Sequence, residues 1–172
     1  MGSRTADDHR TAMQQALDLA KKSPPKPSNF RVGAILVKLD GDRYPTSAGG
    51  YTLECPGNTH AEECCLLKLA EHHSTTEEGL EETMKSPHAL YTTMEPCSKR
   101  LSGKLSCVER VLRQKSWIRQ VYVGVQEPET FVAKNPGRQM LEESGIEVHH
   151  VPGFEQEILQ VATAGHVSDR SS

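Results

Sequence analysis

The apolar positions in the first part of the chain indicate one helix followed by a hairpin. Residues 8–22 carry apolar side chains at intervals of three and four, which predicts an amphipathic helix. The proline-rich stretch at 23–29 must end this helix, because proline lacks the backbone N–H that a helix interior needs. Residues 31–38 then predict a strand, and residues 40–43 its hairpin turn. We expect a weaker, glycine-rich strand at 44–52.

The rest of the chain alternates between helical and extended patterns. We predict helices at 60–73, 107–115 and 137–145, and strands at 88–93, 119–126 and 146–151. Strand–helix–strand alternation implies parallel pairing with right-handed crossovers, whereas the opening hairpin is antiparallel. The predicted fold class is therefore α/β with three layers, in which a mixed sheet of about five strands has helices on both faces.

A length of 172 residues favours a single domain. We expect this domain to cover residues 1–172, with its core at about 9–153 and a tail at 154–172 that holds one short helix near 155–163. The segment 74–87 is polar and acidic, and we interpret it as an exposed excursion with little function.

The composition is that of an ordinary water-soluble protein, with 25% charged and 35% hydrophobic residues. The net charge of −3 disfavours a protein that follows nucleic-acid backbone, because such proteins are usually basic. No apolar run approaches the roughly 20 residues that a membrane span needs, and the N-terminus lacks the apolar core of a secretory signal. We therefore expect a cytoplasmic protein with neither a membrane nor a nucleic acid as partner.

Cysteine and histidine supply a candidate metal site. The chain has five cysteines, and an odd number without a secretory signal indicates free thiols in a reducing compartment. His60, Cys97 and Cys107 each lie where a strand or loop leads into a predicted helix, and a helix N-terminus favours the thiolate that binds zinc. One imidazole and two thiolates would hold Zn²⁺ and leave a fourth tetrahedral position for water.

Glu62 follows the candidate ligand His60 by two residues. In the first turn of a helix, its carboxylate can reach a metal-bound water without ligating the metal, and it can move a proton from that water to a leaving group. An H-x-E segment, followed later by Pro-Cys and a second cysteine, is the pattern of zinc deaminases, in which the glutamate shuttles protons. We therefore predict Glu62 as the catalytic residue.

The interval between the two cysteines is long and basic. Nine residues, 98–106, separate Cys97 from Cys107, whereas the short form of the pattern has two. The interval is tethered to the candidate metal site at both ends, and its cations and small polar residues suit a phosphate group on a small substrate. We interpret the cations further along the chain as a solvated face: Arg110, Arg113 and Lys115.

These motifs resemble a known family. THAE at 59–62, TMEPCS at 93–98, the long interval and the second cysteine are similar to the cytidine-deaminase superfamily. Within it, the chain most resembles the pyrimidine deaminases of riboflavin biosynthesis, which also lengthen this interval, and CSKRLSG at 97–103 resembles their fungal branch. The resemblance runs from about His9 to Pro152.

The resemblance implies a cytidine-deaminase-like fold and a zinc enzyme that deaminates 2,5-diamino-6-(ribitylamino)pyrimidin-4-one 5′-phosphate, releasing ammonia. His60, Cys97 and Cys107 would be the zinc ligands and Glu62 the proton shuttle. Asn29 matches an asparagine that contacts the sugar, and the long interval faces the substrate. The substrate-binding candidates are thus Asn29, Lys99, Arg100, Ser102 and Lys104. Relatives commonly form dimers, so we expect a homodimer.

Two other functions stay open. A nucleoside or tRNA deaminase would be favoured by a short interval between the cysteines and a broader basic surface, and this chain has neither. A non-catalytic zinc subunit of a deaminase complex would keep the ligands but could lose Glu62, which is present. Cys64 lies four residues after His60 and competes as a ligand, but Cys64 and Cys65 are more simply core residues. Cys55 is left without a role.

Overall fold

The predicted alternation of strands and helices is present in the structure, a computed structural model that describes residues 3–40, 43–126 and 136–166. Asp40 and Arg43 pair as an antiparallel bridge, as residues flanking a hairpin turn do, while residues 41–42 of the predicted turn lie outside the described ranges. Residues 167–172 of the predicted tail also lie outside them. Within the described ranges, no helix is long and apolar enough to cross a membrane.

The described ranges contain every predicted helix and strand, with ends shifted by a few residues, and one additional short helix, α3. The helices are α1 (Ala6–Ala20), α2 (Ala61–His72), α3 (Leu80–Thr83), α4 (Cys107–Arg113), α5 (Gly137–Glu143) and α6 (Glu155–Ala162). The strands are β1 (Gly33–Lys38), β2 (Thr46–Tyr51), β3 (His88–Met94), β4 (Ile118–Val125) and β5 (Glu147–His150). Hydroxyl side chains set two of the helix starts, since Thr5 and Ser106 accept hydrogen bonds from backbone N–H groups in the first turns of α1 and α4.

The five strands form one mixed sheet in the order β2-β1-β3-β4-β5. Strand β1 runs antiparallel to both β2 and β3, whereas β3, β4 and β5 are parallel to one another. In register, Ile35 of β1 lies opposite Tyr91 of β3, and Tyr91 lies opposite Tyr122 of β4. The predicted fold class, a mixed sheet that begins with an antiparallel hairpin and continues in parallel, is confirmed.

Each face of the sheet is covered by its own apolar core. On one face, α1 and α6 contribute Met13 and Ile158, which are almost completely buried. On the other face, α2, α4 and α5 contribute Leu66, Val111 and Leu141. Each side chain of this size contributes roughly 1.5–3 kcal/mol when it leaves water, so both layers are firmly attached to the sheet. The three-layer arrangement therefore holds the helix starts in fixed positions.

Close packing against β2 fixes the beginning of α2. A Cβ atom on Gly50 would lie 2.6 Å from the carbonyl oxygen of Ala61 and 2.7 Å from the backbone nitrogen of Cys65, closer than any side chain permits. Only glycine allows the two backbones to approach in this way. The glycine-rich character that weakened the strand prediction for β2 thus has a packing cause.

The segment 74–87 is mostly exposed, as its polarity predicted, but it is attached to the core through two buried residues. Leu80, the first residue of α3, is fully buried and joins the core that includes α2 and α4. Glu77 is 8% exposed, and its carbonyl oxygen accepts a 2.9 Å hydrogen bond from Nε2 of the buried Gln114. A single leucine within a run of charges is too weak a pattern to indicate burial, which here arises from tertiary packing.

Candidate active site

Three side chains with metal-binding atoms meet where α2 and α4 begin and β3 ends. His60 immediately precedes α2, Cys97 lies three residues beyond the last residue of β3, and Cys107 is the first residue of α4. Each of them adjoins a helix or strand that contributes buried residues, and both cysteines are buried. These are the three residues that the sequence predicted as ligands.

Their geometry suits a tetrahedral metal ion. His60 Nδ1 lies 3.5 Å from Cys97 Sγ and 3.4 Å from Cys107 Sγ, and the three ligand atoms all lie within 4.8 Å of one another. A tetrahedral Zn²⁺, with bonds of about 2.3 Å to sulfur and about 2.0 Å to nitrogen, would hold nitrogen and sulfur about 3.5 Å apart. The residues therefore fit zinc, and three protein ligands would leave one coordination position open.

The surroundings of Cys97 favour its thiolate. The Cys107 thiol and the His60 ring lie at hydrogen-bond distance from Cys97 Sγ, and these contacts lower the pKa of the Cys97 thiol although burial opposes the shift. The backbone N–H of Cys107, at the start of α4, also donates to Cys97 Sγ at 3.4 Å. A thiolate is the form that coordinates a metal, so these contacts suit Cys97 to the role of a ligand.

Glu62 lies beside the three ligands in the first turn of α2. Its side chain is buried, with the residue only 3% exposed, and the Thr92 hydroxyl of β3 donates a 2.9 Å hydrogen bond to Glu62 Oε1. Burial raises the pKa of the Glu62 carboxyl, and the neighbouring Cys97 charge raises it further. A buried carboxyl group whose pKa is raised above its ordinary value suits general acid–base chemistry.

A cavity of about 660 Å³ opens above this cluster. His60, Glu62 and Cys97 contribute to its lining, and so do the loop that precedes β1 and the interval between the two cysteines. Its size lies in the range of about 300–1,000 Å³ that is typical of pockets for small ligands. The arrangement therefore presents a metal position and a carboxyl group to a small bound molecule.

The structure brings together most of the predicted substrate-binding residues. Asn29, Lys99, Arg100 and Ser102 line the cavity, and of these Lys99 and Ser102 are exposed. Lys104 is not among the described lining residues. Its side chain is exposed, and its Nζ donates to the carbonyl oxygen of Asn58 at 3.3 Å. The roles of these residues in substrate binding stay predictions.

Arg100 differs from the other candidates because its charge is already engaged. Its side chain is 2% exposed, and Nη1 donates to Glu63 Oε1 at 2.9 Å. Its Nη2 donates to the carbonyl oxygen of Asn58. Both terminal nitrogens are therefore used inside the protein, and the predicted contact of Arg100 with a phosphate gains no support from this geometry.

Arg110 is not part of the solvated face that the sequence predicted. Its side chain is 12% exposed and forms ion pairs with Glu63, at 2.9 Å, and with Glu77. Burial is tolerated because two carboxylates compensate the guanidinium charge. By contrast, Arg113 is about half exposed, and its nearest carboxylate oxygen, on Glu78, lies 4.0 Å away. The pattern of cations alone could not distinguish these two arginines.

The remaining cysteines do not join the ligand set. Cys64 and Cys65 are fully buried in α2, which confirms them as core residues. Cys55 is half-buried, and its backbone N–H donates to Cys64 Sγ at 3.4 Å. Burial and the nearby Cys64 thiol raise the pKa of Cys55 to about 12, so this thiol stays protonated at neutral pH.

Several residues of the site were missed by the sequence analysis. Thr92 contacts the predicted catalytic carboxyl, but nothing distinguishes it from any other threonine in a strand. Phe30 lines the cavity beside Asn29, and an aromatic residue next to a predicted substrate contact was an available signal. Glu63 was also detectable, because a glutamate three residues after a helix cap is a known start signal, and its carboxylate accepts from the backbone N–H of His60 at 3.1 Å.

Comparisons with known proteins agree with this geometry. The family model described as the cytidine and deoxycytidylate deaminase zinc-binding region matches residues 6–125. A diaminohydroxyphosphoribosylamino-pyrimidine deaminase of Schizosaccharomyces pombe is 41% identical over 159 residues, which is 92% of this chain and 36% of that protein. The riboflavin biosynthesis protein RibD of Bacillus amyloliquefaciens is 33% identical, over 79% of this chain and 31% of that protein. The chain thus spans about a third of the length of the curated relatives that it matches.

A solved structure matches over nearly the whole chain. The crystal structure of the Aspergillus oryzae Rib2 deaminase in complex with DARIPP is 46% identical in sequence, with a TM-score of 0.84. The match covers 92% of this chain and 91% of that chain. The likeness therefore includes the mixed five-stranded sheet and its helices.

Proposed function

Because the chain belongs to the cytidine and deoxycytidylate deaminase family, we propose that it is a zinc-dependent aminopyrimidine deaminase of riboflavin biosynthesis. Its substrate would be 2,5-diamino-6-(ribitylamino)pyrimidin-4-one 5′-phosphate. The enzyme would replace the ring 2-amino group by oxygen, using water, and would release ammonia. The names of the relatives support an aminopyrimidine deaminase of riboflavin biosynthesis among the activities of the family, and the name of the fission yeast relative specifies the ribosyl form of the substrate.

One observation carries the proposal: a buried carboxyl group lies beside three metal ligands at the base of a ligand-sized cavity. A purely structural zinc site is normally closed by four protein ligands, whereas the described part of the chain supplies three here. A non-catalytic zinc subunit would have no use for a carboxyl group in this position. The arrangement therefore supports an enzyme.

The chain's own residues account for the proton transfers. His60, Cys97 and Cys107 would hold the zinc ion, and zinc bound there would lower the pKa of water to about 7 and so supply a nucleophile at neutral pH. Glu62 accepts a proton from the attacking water and delivers it to the ring nitrogen beside the attacked carbon, which makes that carbon more electrophilic. The water oxygen bonds to that carbon. Glu62 then takes the remaining proton of that oxygen and transfers it to the amino group, the C–N bond breaks as the C=O bond forms, and ammonia leaves. The Thr92 hydroxyl orients the carboxyl group during both transfers.

The cavity walls suit a polar, phosphorylated substrate. Asn29 offers an amide to the sugar hydroxyls, and Phe30 beside it offers an apolar surface to the pyrimidine ring. On the opposite wall, Lys99 is exposed and lines the cavity, so it is the cation best placed to meet a phosphate. Among the described residues that line the cavity, Lys99 is a cation that makes no ion pair, in contrast to Arg100.

Two further expectations belong to this proposal. We propose that the protein acts as a homodimer, following the habit of similar deaminases, and that it works in the cytoplasm, in keeping with its free thiols. Size-exclusion chromatography with light scattering tests the first, and fractionation of cells that express a tagged chain tests the second.

Ammonia release by the purified, zinc-loaded protein tests the proposed function. The ribityl and ribosyl forms of the aminopyrimidine phosphate are offered side by side, with Glu62→Gln as the matched control. We expect turnover of the ribityl compound and its loss in the variant. Turnover of the ribosyl compound alone would overturn the substrate assignment. If the protein binds one zinc per chain but neither compound reacts, the riboflavin assignment is wrong, and nucleosides and tRNA are the next substrates.

A further inference from the structure

The carboxylate of Glu63 binds three separate parts of the site. Its Oε1 accepts hydrogen bonds from the backbone N–H of His60, at 3.1 Å, and from Arg100 Nη1, at 2.9 Å. Its Oε2 accepts from Arg110 Nη2 at 2.9 Å. The side chain is only 7% exposed, so these contacts are shielded from water and from salt. The contacts with His60 and with the two arginines hold the pKa of Glu63 below its usual value, although burial opposes the shift.

The three partners come from the elements that form the site. His60 is a candidate zinc ligand at the start of α2, and Arg110 lies on α4, the helix that begins with Cys107. Arg100 belongs to the interval 98–106 that forms one wall of the cavity. A single carboxylate therefore links the start of α2, the helix α4 and the wall of the cavity that contains Arg100.

Arg100 is the main attachment of that wall. Among residues 98–105, all of which the structure describes, it alone is buried, whereas the next residue, Leu101, is 88% exposed. Arg100 also donates a hydrogen bond from Nη2 to the carbonyl oxygen of Asn58. The exposed Lys104 donates to the same oxygen from Nζ, at 3.3 Å. The hydrogen bonds from Gly103 N–H and Lys104 N–H stay within the loop, so they shape it without anchoring it.

The charges explain why Glu63 holds this attachment in place. Within the described residues, Arg100 forms an ion pair with Glu63 and with no other carboxylate. Its Nε has no hydrogen-bond partner there. A buried guanidinium without a carboxylate is strongly unfavourable, so loss of Glu63 would drive Arg100 towards water and carry the loop with it. Arg110 would keep Glu77 as a partner and is less dependent on Glu63.

We propose that Glu63 is a positioning residue that acts through Arg100 to fix the loop 98–106 over the cavity and so sets the affinity for the substrate. The part that concerns substrate affinity rests on the proposed deaminase function. Glu63 does not line the cavity and touches no reacting atom, in contrast to Glu62, which precedes it. Its removal therefore weakens substrate binding more than it slows the chemical step.

Trypsin sensitivity tests the position of the loop without any assay of activity. Lys99 and Lys104 lie in the loop and are exposed, so cleavage after them reports how freely the loop moves. We expect Glu63→Gln and Arg100→Gln each to accelerate this cleavage about tenfold. Glu77→Gln is the matched control, because it also removes a buried carboxylate from the same ion-pair network but contacts no loop residue. This control lowers the melting temperature without accelerating cleavage in the loop.

Steady-state kinetics on the ribityl substrate add the functional readout. We expect Glu63→Gln and Arg100→Gln each to raise KM about tenfold, with kcat within about threefold of the wild type and zinc content unchanged. The KM of the double variant should be no higher than that of either single variant, because both changes remove the ion pair between Glu63 and Arg100. The double variant also leaves the network electrically neutral, so it provides a folded protein if Glu63→Gln alone is unstable.

Two outcomes would overturn the inference. The first is that the loop 98–106 of the Glu63→Gln variant resists trypsin as well as the loop of the wild type does. The second is that KM rises no further in Glu63→Gln than in Glu77→Gln. Failure of the proposed function is a separate result. If the wild type deaminates no aminopyrimidine phosphate, accelerated cleavage in Glu63→Gln and Arg100→Gln, but not in Glu77→Gln, still supports the positioning role.

Discussion

The metal-binding side of the site and the loop wall opposite it are held in different ways. His60, Cys97 and Cys107 lie at the ends of buried helices and strands, so the backbone itself fixes their positions. The loop 98–106 has an exposed tip and one buried arginine, which reaches a carboxylate 37 residues earlier in the chain. The positions of the ligands are thus fixed by packed helices and strands, whereas the position of the loop wall depends on a single ion pair.

Two neighbouring glutamates of α2 reproduce this contrast. Successive residues of a helix point about 100° apart, so Glu62 and Glu63 face different surroundings. Glu62 lines the cavity and accepts a hydrogen bond from Thr92, whereas Glu63 faces Arg100 and Arg110. Two adjacent residues of the same type therefore have different roles: Glu62 transfers protons, and Glu63 positions the loop.

The largest effect is expected from a change of a metal ligand. Cys107→Ala removes one of three ligand atoms, so we expect zinc content to fall from about one per chain to below about a tenth, with no measurable ammonia release. Cys64→Ala is the control, because Cys64 is also fully buried but lies outside the ligand cluster. Metal analysis by mass spectrometry measures both variants. Normal zinc content in Cys107→Ala would refute the ligand assignment.

The next largest effect concerns the proton shuttle. Glu62→Gln keeps the shape of the side chain but cannot carry a proton, so we expect kcat to fall about 10³-fold, with zinc content unchanged. Ammonia release over time measures the rate, and the same preparation serves for zinc analysis. A variant that retains its zinc and a rate near that of the wild type would exclude Glu62 from the chemistry.

The sequence predicted the metal side well because each ligand lies in a recognisable motif, although His60 is 37 residues from Cys97 and 47 residues from Cys107. The segment from Thr59 to Glu62 and the Pro96-Cys97 pair stand directly at helix and strand ends, where spacing along the chain determines geometry. The five strands, the opening hairpin and the mixed sheet were predictable for the same reason, since hydrophobic period and turn residues act over a few positions. The turn after α5 was equally clear, because Gly145 adopts a positive φ of 88° that favours glycine.

The partners of the loop were not predictable in this way. Arg110 lies 47 residues from Glu63 and 33 residues from Glu77, and no periodicity links them. Arg100 was predicted to meet a phosphate, yet its guanidinium is bound to Glu63, because only the fold shows which cations find a buried carboxylate. The acidic segment 74–87 was interpreted as an excursion for the same reason, although Glu77 is a member of this network.

A smaller effect is expected from the hydrogen bond that orients the shuttle. Thr92→Val keeps the volume of the side chain but removes the donor to Glu62 Oε1, so we expect kcat to fall about tenfold. Thr92→Ser keeps the hydroxyl and should recover most of the rate. Thr93→Val is the control, since Thr93 is equally buried but accepts a hydrogen bond from the Gly33 N–H instead. An equal loss of kcat in both valine variants would show that packing, not orientation, is responsible.

The smallest effect distinguishes two lysines of the same loop. Lys99 lines the cavity, whereas Lys104 lies outside its described lining, so we expect Lys99→Ala to raise KM about fivefold and Lys104→Ala to raise it less than about twofold. The difference should shrink at high salt, because an exposed cation is screened. Measurements of KM at low and high ionic strength test this. A larger effect at Lys104 would place the phosphate beside Lys104 instead of Lys99.

A parallel measurement of kcat and KM for Glu62→Gln and Glu63→Gln, on the ribityl substrate and with zinc content verified, tests the central claim most directly. The claim is that Glu62 takes part in the chemical step, whereas the adjacent Glu63 only positions the loop 98–106. We expect Glu62→Gln to lose kcat with KM within about threefold of the wild type, and Glu63→Gln to raise KM with kcat nearly retained. If both variants lost the same parameter to the same extent, the two sides of the site would not be independent, and the account would be wrong.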